Sequence, residues 1–209
     1  MNANLAGEEM EDAACCQEAC RKLFELRMSL LPYLYSAFVE YHKTGVPPVR
    51  ALCMDDPQDE SLRAIDNQFM FGRDLMVCPL TLEDGTERKV LLPRGVWYDF
   101  FTGECYEGGR EMTVHADWEQ IPVFVREGAV VPLAKPVQHV AEDTVFELTV
   151  RAYGEKEGSF TLYEDDFVSC QYEAQGCRAI TICRTADGCL TAEGLAASRK
   201  YRMADGMLE

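Results

Sequence analysis

The stretch Leu92-Pro93-Arg94-Gly95-Val96-Trp97-Tyr98-Asp99-Phe100-Phe101-Thr102-Gly103-Glu104-Cys105-Tyr106 decides the fold. Alternation puts Val96, Tyr98 and Phe100 on one face of an extended chain and Trp97, Asp99 and Phe101 on the other. Thr102-Gly103 then supplies a turn, and Glu104–Tyr106 can return as a partner strand. The same grammar extends outward. Asp74–Leu82 and Arg88–Leu92 flank Glu83-Asp84-Gly85-Thr86, Gly108-Gly109 leads into Glu111–His115, and Glu127-Gly128 separates Ile121–Arg126 from Ala129–Leu133. A second series follows: Phe146–Tyr153, Ser159–Tyr163, Arg178–Arg184, Cys189–Ala192 and Lys200–Met203. Short strands so evenly punctuated predict antiparallel sandwiches or barrels, with a boundary near Lys135-Pro136.

Upstream the period changes. From Gln17 to Lys43 apolar residues recur at Leu23, Leu26, Leu30, Leu34, Phe38 and Tyr41, a helical stripe. Thr44-Gly45 ends it and Pro47-Pro48 prevents its return, while Pro32 inside the pattern predicts a kink or two abutting helices. The aromatic flank of Tyr33, Tyr35, Phe38 and Tyr41 is too rich for a freely solvated helix and predicts packing on both sides. Val49–Met54 reads as a buried strand and Ser61–Phe71 as a short helix ending at Gly72, with Asp59 or Ser61 as cap. One helix–strand–helix unit cannot close a sheet, so residues 1–72 read as the end of a larger α/β domain.

Twenty Lys and Arg against thirty-six Asp and Glu leave a net charge of −16 over 209 residues. So acidic a surface repels phosphate backbones and anionic lipid, which argues against nucleic-acid and membrane partners. A hydrophobic content of 47% supports a real core and excludes a disordered chain. The first residues lack the basic and apolar regions of a signal peptide, and the ten cysteines form no C-x-x-C pair. Reduced thiols in a cytoplasmic protein are therefore expected, with Cys15, Cys16 and Cys20 the nearest approach to a metal-ligand group. No cofactor is implied.

Nucleotide, phosphate and nucleophile-elbow signatures are absent from the sequence. The densest carboxylate clusters are Asp55-Asp56, Glu164-Asp165-Asp166 and Glu8-Glu9 with Glu11-Asp12. A carboxylate pair serves glycoside hydrolysis or binds calcium. Asp55-Asp56-Pro57 is nevertheless a turn sequence, Glu164-Asp165-Asp166 follows a strand where Asp favours turns, and the N-terminal group suits a first helical turn. Neighbours on a strand also point apart, so adjacency does not make a facing pair. Trp97-Tyr98 and Trp118 suggest a sugar-stacking platform, against which stands the ordinary role of large aromatics as core.

Five segments in order resemble glycoside hydrolase family 31, the α-glucosidase and α-xylosidase family. They are Leu26-Arg27 with Leu30–Phe38; Gly45–Leu52; Asp66–Pro79; Leu92–Phe100 with Ile121–Pro132; and Phe160–Asp166. The resemblance implies the C-terminal portion of a retaining α-glycosidase. Residues 1–72 would be the end of a (β/α)₈ barrel, 73–135 a proximal β-sandwich and 136–209 a distal β-domain. The family's catalytic Asp pair and main sugar-binding positions lie in segments upstream of these, so no catalytic, substrate-binding, cofactor or metal residue carries over. Val49–Met54 would be the last barrel strand, with Asp55 and Asp56 on the rim of the catalytic face. Phe167 departs from the family's usual Gly after Tyr-Glu-Asp-Asp.

The implied role is structural or accessory, and the implied partner is the barrel part of the enzyme, with oligosaccharide bound in the whole. A homodimer through the exposed helical stripe is expected of the chain alone. The alternatives are a stand-alone carbohydrate-binding module, which requires exposed aromatics in a groove, and an independent hydrolase, which requires two carboxyl groups facing across a cleft.

Overall fold

The computed structural model describes residues 3–79, 87–115, 120–170 and 172–204, with the side chains of 3–14, 174 and 175 left out. The 83–86 turn, Trp118 and the carboxylates of Glu8, Glu9, Glu11 and Asp12 lie outside what is described.

Two helices lead the chain, α1 (Ala3–Ser29) and α2 (Leu31–Thr44). They abut where Pro32 was expected to interrupt them. Leu30 leaves the helical region at φ −83°, ψ 1°, and Pro32 sits in the first turn of α2, where its missing N–H does no harm. Gly45 closes α2 in the left-handed conformation at φ 77°, its N–H donating to the Tyr41 carbonyl at 2.8 Å.

The strands are β1 (Val49–Ala51), β2 (Phe69–Phe71), β3 (Leu75–Val77), β4 (Glu87–Leu92), β5 (Val96–Asp99), β6 (Cys105–Glu107) and β7 (Arg110–His115). They continue as β8 (Val123–Arg126), β9 (Val130–Ala134), β10 (Phe146–Ala152), β11 (Gly158–Glu164), β12 (Arg178–Arg184), β13 (Leu190–Glu193) and β14 (Tyr201–Met203). A six-stranded antiparallel sheet runs β1-β2-β3-β8-β5-β6, and β4 pairs with β7 as a separate ribbon. The later strands form β14-β10-β9 and β11-β12-β13, with β10 and β14 parallel where only antiparallel pairing was expected.

Two upstream expectations are corrected. Residues 61–71 are not a helix. A single 3₁₀ turn at Glu60–Ala64, capped by the Asp59 carboxylate accepting from Ser61 N at 3.0 Å, gives way to β2. Phe69-Met70-Phe71 pairs on both sides, with β1 and with β3, and this tertiary pairing overrides the local helical pattern. Val49–Met54 is not a buried parallel strand either. Only Val49–Ala51 is extended; it is antiparallel to β2, exposed at Val49 and Ala51, and followed by a 3₁₀ turn at Leu52–Met54. The sheet therefore runs unbroken across position 72.

The alternation read at Val96–Phe100 separates two cores. Trp97 lies with Leu52, Leu62, Met70, Met76 and Phe124, whereas Phe100 and Tyr98 face a larger cluster that includes Val130, Leu148, Leu162 and Ile180. Tyr33 docks α2 onto this second core with none of its surface exposed. Its hydroxyl donates to the Phe71 carbonyl and accepts from Asp74 N, both at 3.0 Å, and its ring stacks on Phe160 at 5.1 Å. Gly72, at φ 62°, sits directly beneath that ring, where a Cβ would overlap it.

The helical stripe divides at the α1–α2 break. Leu26 and Leu30 pack against the large core, but on α2 the inward residues are Pro32, Tyr33 and Ser36. At about 100° per residue, Leu34, Phe38 and Tyr41 fall on the opposite side, and Phe38 and Tyr41 are 53% and 47% exposed.

Candidate functional site

The 52–64 segment, the Pro93–Trp97 turn and the end of β8 enclose a cavity of about 350 Å³ that holds Asp55 and Asp56. Asp55 is engaged on both oxygens. Arg50 binds it with Nε and Nη2, and Arg126 Nη2 reaches it at 2.5 Å. The Arg50 and Asp55 side chains are 7% and 14% exposed. Arg50 also donates to the Gly72 carbonyl at 2.6 Å, tying β1 to the loop before β3. A shielded carboxylate held by two guanidiniums is a structural clamp, since fork-shaped donors fix its position and orientation. Around it, Lys156 pairs with Glu127 at 2.6 Å and Arg94 with Asp59 at 3.6 Å.

Trp97 lines the same cavity yet offers it no platform. It is 1% exposed, its Nε1 donates to the Pro93 carbonyl at 2.8 Å, and the Arg126 guanidinium lies over its ring at 5.3 Å. The indole is core.

One member of the second carboxylate cluster, Asp165, lines another cavity. Glu164 is buried, accepting from Ser198 Oγ and from Arg199 N at 2.9 Å. Asp165 accepts from the Tyr35 hydroxyl at 2.5 Å and from Phe167 N at 2.7 Å. Burial, followed by the bond to Asp165, raises the Tyr35 phenol, so it stays protonated and keeps donating. Asp166 makes the turn itself, accepting from Val168 N at 3.1 Å and Ser169 N at 2.9 Å. Asp55 and Asp56 thus share one cavity and Asp165 belongs to another of about 460 Å³. Sequence reading missed Arg50, Arg126 and Tyr35; the available signal was that an arginine in an apolar strand requires an acidic partner.

Of the cysteines, Cys78 is buried in the Trp97 core and its thiol is pushed up to about 12 by desolvation. Cys15, Cys16 and Cys20 are exposed on α1.

The geometry defines a multi-sheet β-protein with a helical lead, in which the carboxylates of Asp55, Glu164, Asp165 and Asp166 are held in structural bonds. Residues 45–131, from the Gly45 helix cap into β9, match the family model described as "Glycosyl hydrolase family 31 C-terminal domain". The chain belongs to glycoside hydrolase family 31, of whose members it corresponds to a C-terminal portion. An α-xylosidase of Saccharolobus solfataricus is 41% identical over 158 residues, covering 75% of this chain and 22% of that protein. An α-glucosidase 2 of Bacillus thermoamyloliquefaciens is 34% identical, covering 73% and 20%. A family 31 dextranase of Flavobacterium johnsoniae, solved with glucose, superposes with a TM-score of 0.74 at 34% identity, covering 80% of this chain and 21% of that one. The chain spans about a fifth of the length of these relatives.

Proposed function

We propose that this chain serves an α-glycosidase as its accessory C-terminal portion, acting on α-linked glucosides or xylosides only as part of a whole enzyme that supplies the catalytic carboxylates. In this reading α1 and α2 are the last helical layer of the barrel, β1–β8 build the proximal β-domain, and the strands from β10 onward form the distal one. The observation that carries it is the division of α2. Its inward side is locked to the sheets by Tyr33 and by Ser36, whose Oγ accepts from Tyr163 N at 3.2 Å, while Leu34, Phe38 and Tyr41 form an apolar row facing away. Burying a Leu or Phe contributes about 1.5–3 kcal/mol, so such a row is suited to covering by further protein.

When the chain is alone, two copies cover the row about a two-fold axis. Light scattering across a dilution series tests this. A concentration-dependent dimer that Phe38→Glu converts to monomer is expected. A strict monomer at high concentration, with Phe38→Glu changing neither mass nor solubility, contradicts the docking face.

A further inference from the structure

Phe167 is the one non-glycine residue with a left-handed backbone among the described residues, at φ 59°. A side chain with a Cβ is strained there, and glycine is not. The strain is held by the turn, in which Asp165 accepts from Phe167 N and Asp166 from Val168 N and Ser169 N. Its effect is to aim the phenyl ring into a cluster. The ring meets Tyr35 edge-on at 4.8 Å and Tyr201 at 6.3 Å, and Phe146 stacks on Tyr201 at 6.0 Å. These four residues wall the open cavity of about 460 Å³, with Asp165 beside them. Strained residues collect where a side chain must be presented in a particular way.

The polar groups select the ligand. Asp165 spends one oxygen on Tyr35 and the other on Phe167 N, and a carboxylate with about four lone-pair positions retains acceptor capacity after two bonds. An anionic ligand is repelled by Asp165. The Phe167 ring already carries a cation, the Lys200 ammonium at 5.2 Å, which disfavours a second one there. A wholly apolar ligand strips water from the carboxylate and gives it no donor. A neutral polyhydroxy ring meets every requirement: its C–H face covers the partly exposed Tyr35 or Phe167 ring and its hydroxyls donate to Asp165.

We propose that the cavity walled by Tyr35, Phe146, Phe167 and Tyr201 beside Asp165 binds a neutral pyranose unit of an oligosaccharide, at a site separate from the Asp55 cavity. Its occupation is independent of whether the chain takes part in hydrolysis.

Calorimetric titration of the full chain with maltotriose, and separately with isomaltotriose, tests it. Saturable binding of at least one is expected. Phe167→Gly, which relieves the strained turn and leaves a cooperative melt, is expected to weaken it about tenfold, and Asp165→Asn by a similar factor. Arg94→Ala, in the other cavity, leaves it unchanged. If Phe167→Gly does not fold, Asp165→Asn decides. No saturable binding of either sugar by folded chain, undiminished affinity in the variants, or binding of an apolar dye unaffected by sugar overturns the proposal.

Discussion

Replacing Trp97 by alanine discriminates most sharply between a structural indole and a sugar platform. Trp97 is 1% exposed, packed among Leu52, Met70, Met76 and Phe124, and its Nε1–H satisfies the Pro93 carbonyl. Truncation removes the ring contacts and leaves a cavity, which costs about 3–5 kcal/mol for a buried Trp. The lost hydrogen bond and the Arg126 contact add about 1 kcal/mol. Against a domain stability of about 5–15 kcal/mol, a loss near 4–6 kcal/mol leaves the fold marginal. Trp97→Phe keeps most of the packing and forfeits the N–H, so an intermediate loss of about 2 kcal/mol is expected. Urea unfolding followed by circular dichroism gives both values, and the midpoint is expected to fall in the order wild type, Phe, Ala. A Trp97→Ala variant with an unchanged midpoint refutes the packing argument and restores Trp97 as a ligand-facing residue.

Gly72→Ala combines a left-handed φ of 62° with overlap on the buried Tyr33 ring, and is expected to cost about 2–5 kcal/mol in the same urea titration. Arg50→Met leaves the largely buried Asp55 to Arg126 alone, so a loss of about 3 kcal/mol is expected, read as a lowered melting temperature. Tyr98 and Tyr106 are both pushed up to about 12, first by burial and next by bonds to Cys105 and Glu104 respectively. Because the folded state holds these protons more tightly than the unfolded chain, stability is expected intact below pH ~10 and to fall between pH ~10 and 12, with phenolate absorbance rising over the same interval.

The strands were legible because alternation and Gly-bearing turns are local signals: Arg178–Arg184 matches β12 residue for residue, and Trp97 and Tyr98 fall on opposite faces as the pleat requires. The interruption at Pro32 was equally readable, since it follows from a missing N–H. Phe69-Met70-Phe71 was not, because a short apolar run suits either element and its pairing with β1 and β3 chose the strand. Which side of α2 meets the sheets was not legible for a related reason. With Tyr33, Tyr35, Phe38 and Tyr41 distributed around it, periodicity alone does not say which side meets the sheets.

The clamp on Asp55 and the walls of the Phe167 cavity are long-range juxtapositions. Arg126 lies 71 positions from Asp55 and Tyr35 lies 130 from Asp165, beyond any spacing rule. Phe167 itself was visible as a departure from the family's glycine. That it keeps the left-handed conformation was not.

The central claim, that the carboxylates of this chain hold structure and do not cleave glycosides, is tested most directly by a hydrolysis assay. Purified chain is incubated with aryl α-glucoside and aryl α-xyloside beside Asp55→Asn and Asp165→Asn variants. No turnover above buffer is predicted for any of the three, because Asp55 is clamped by Arg50 and Arg126 while Asp165 is bonded to Tyr35 in a different cavity. Turnover that survives rigorous purification and is abolished by either substitution contradicts the account.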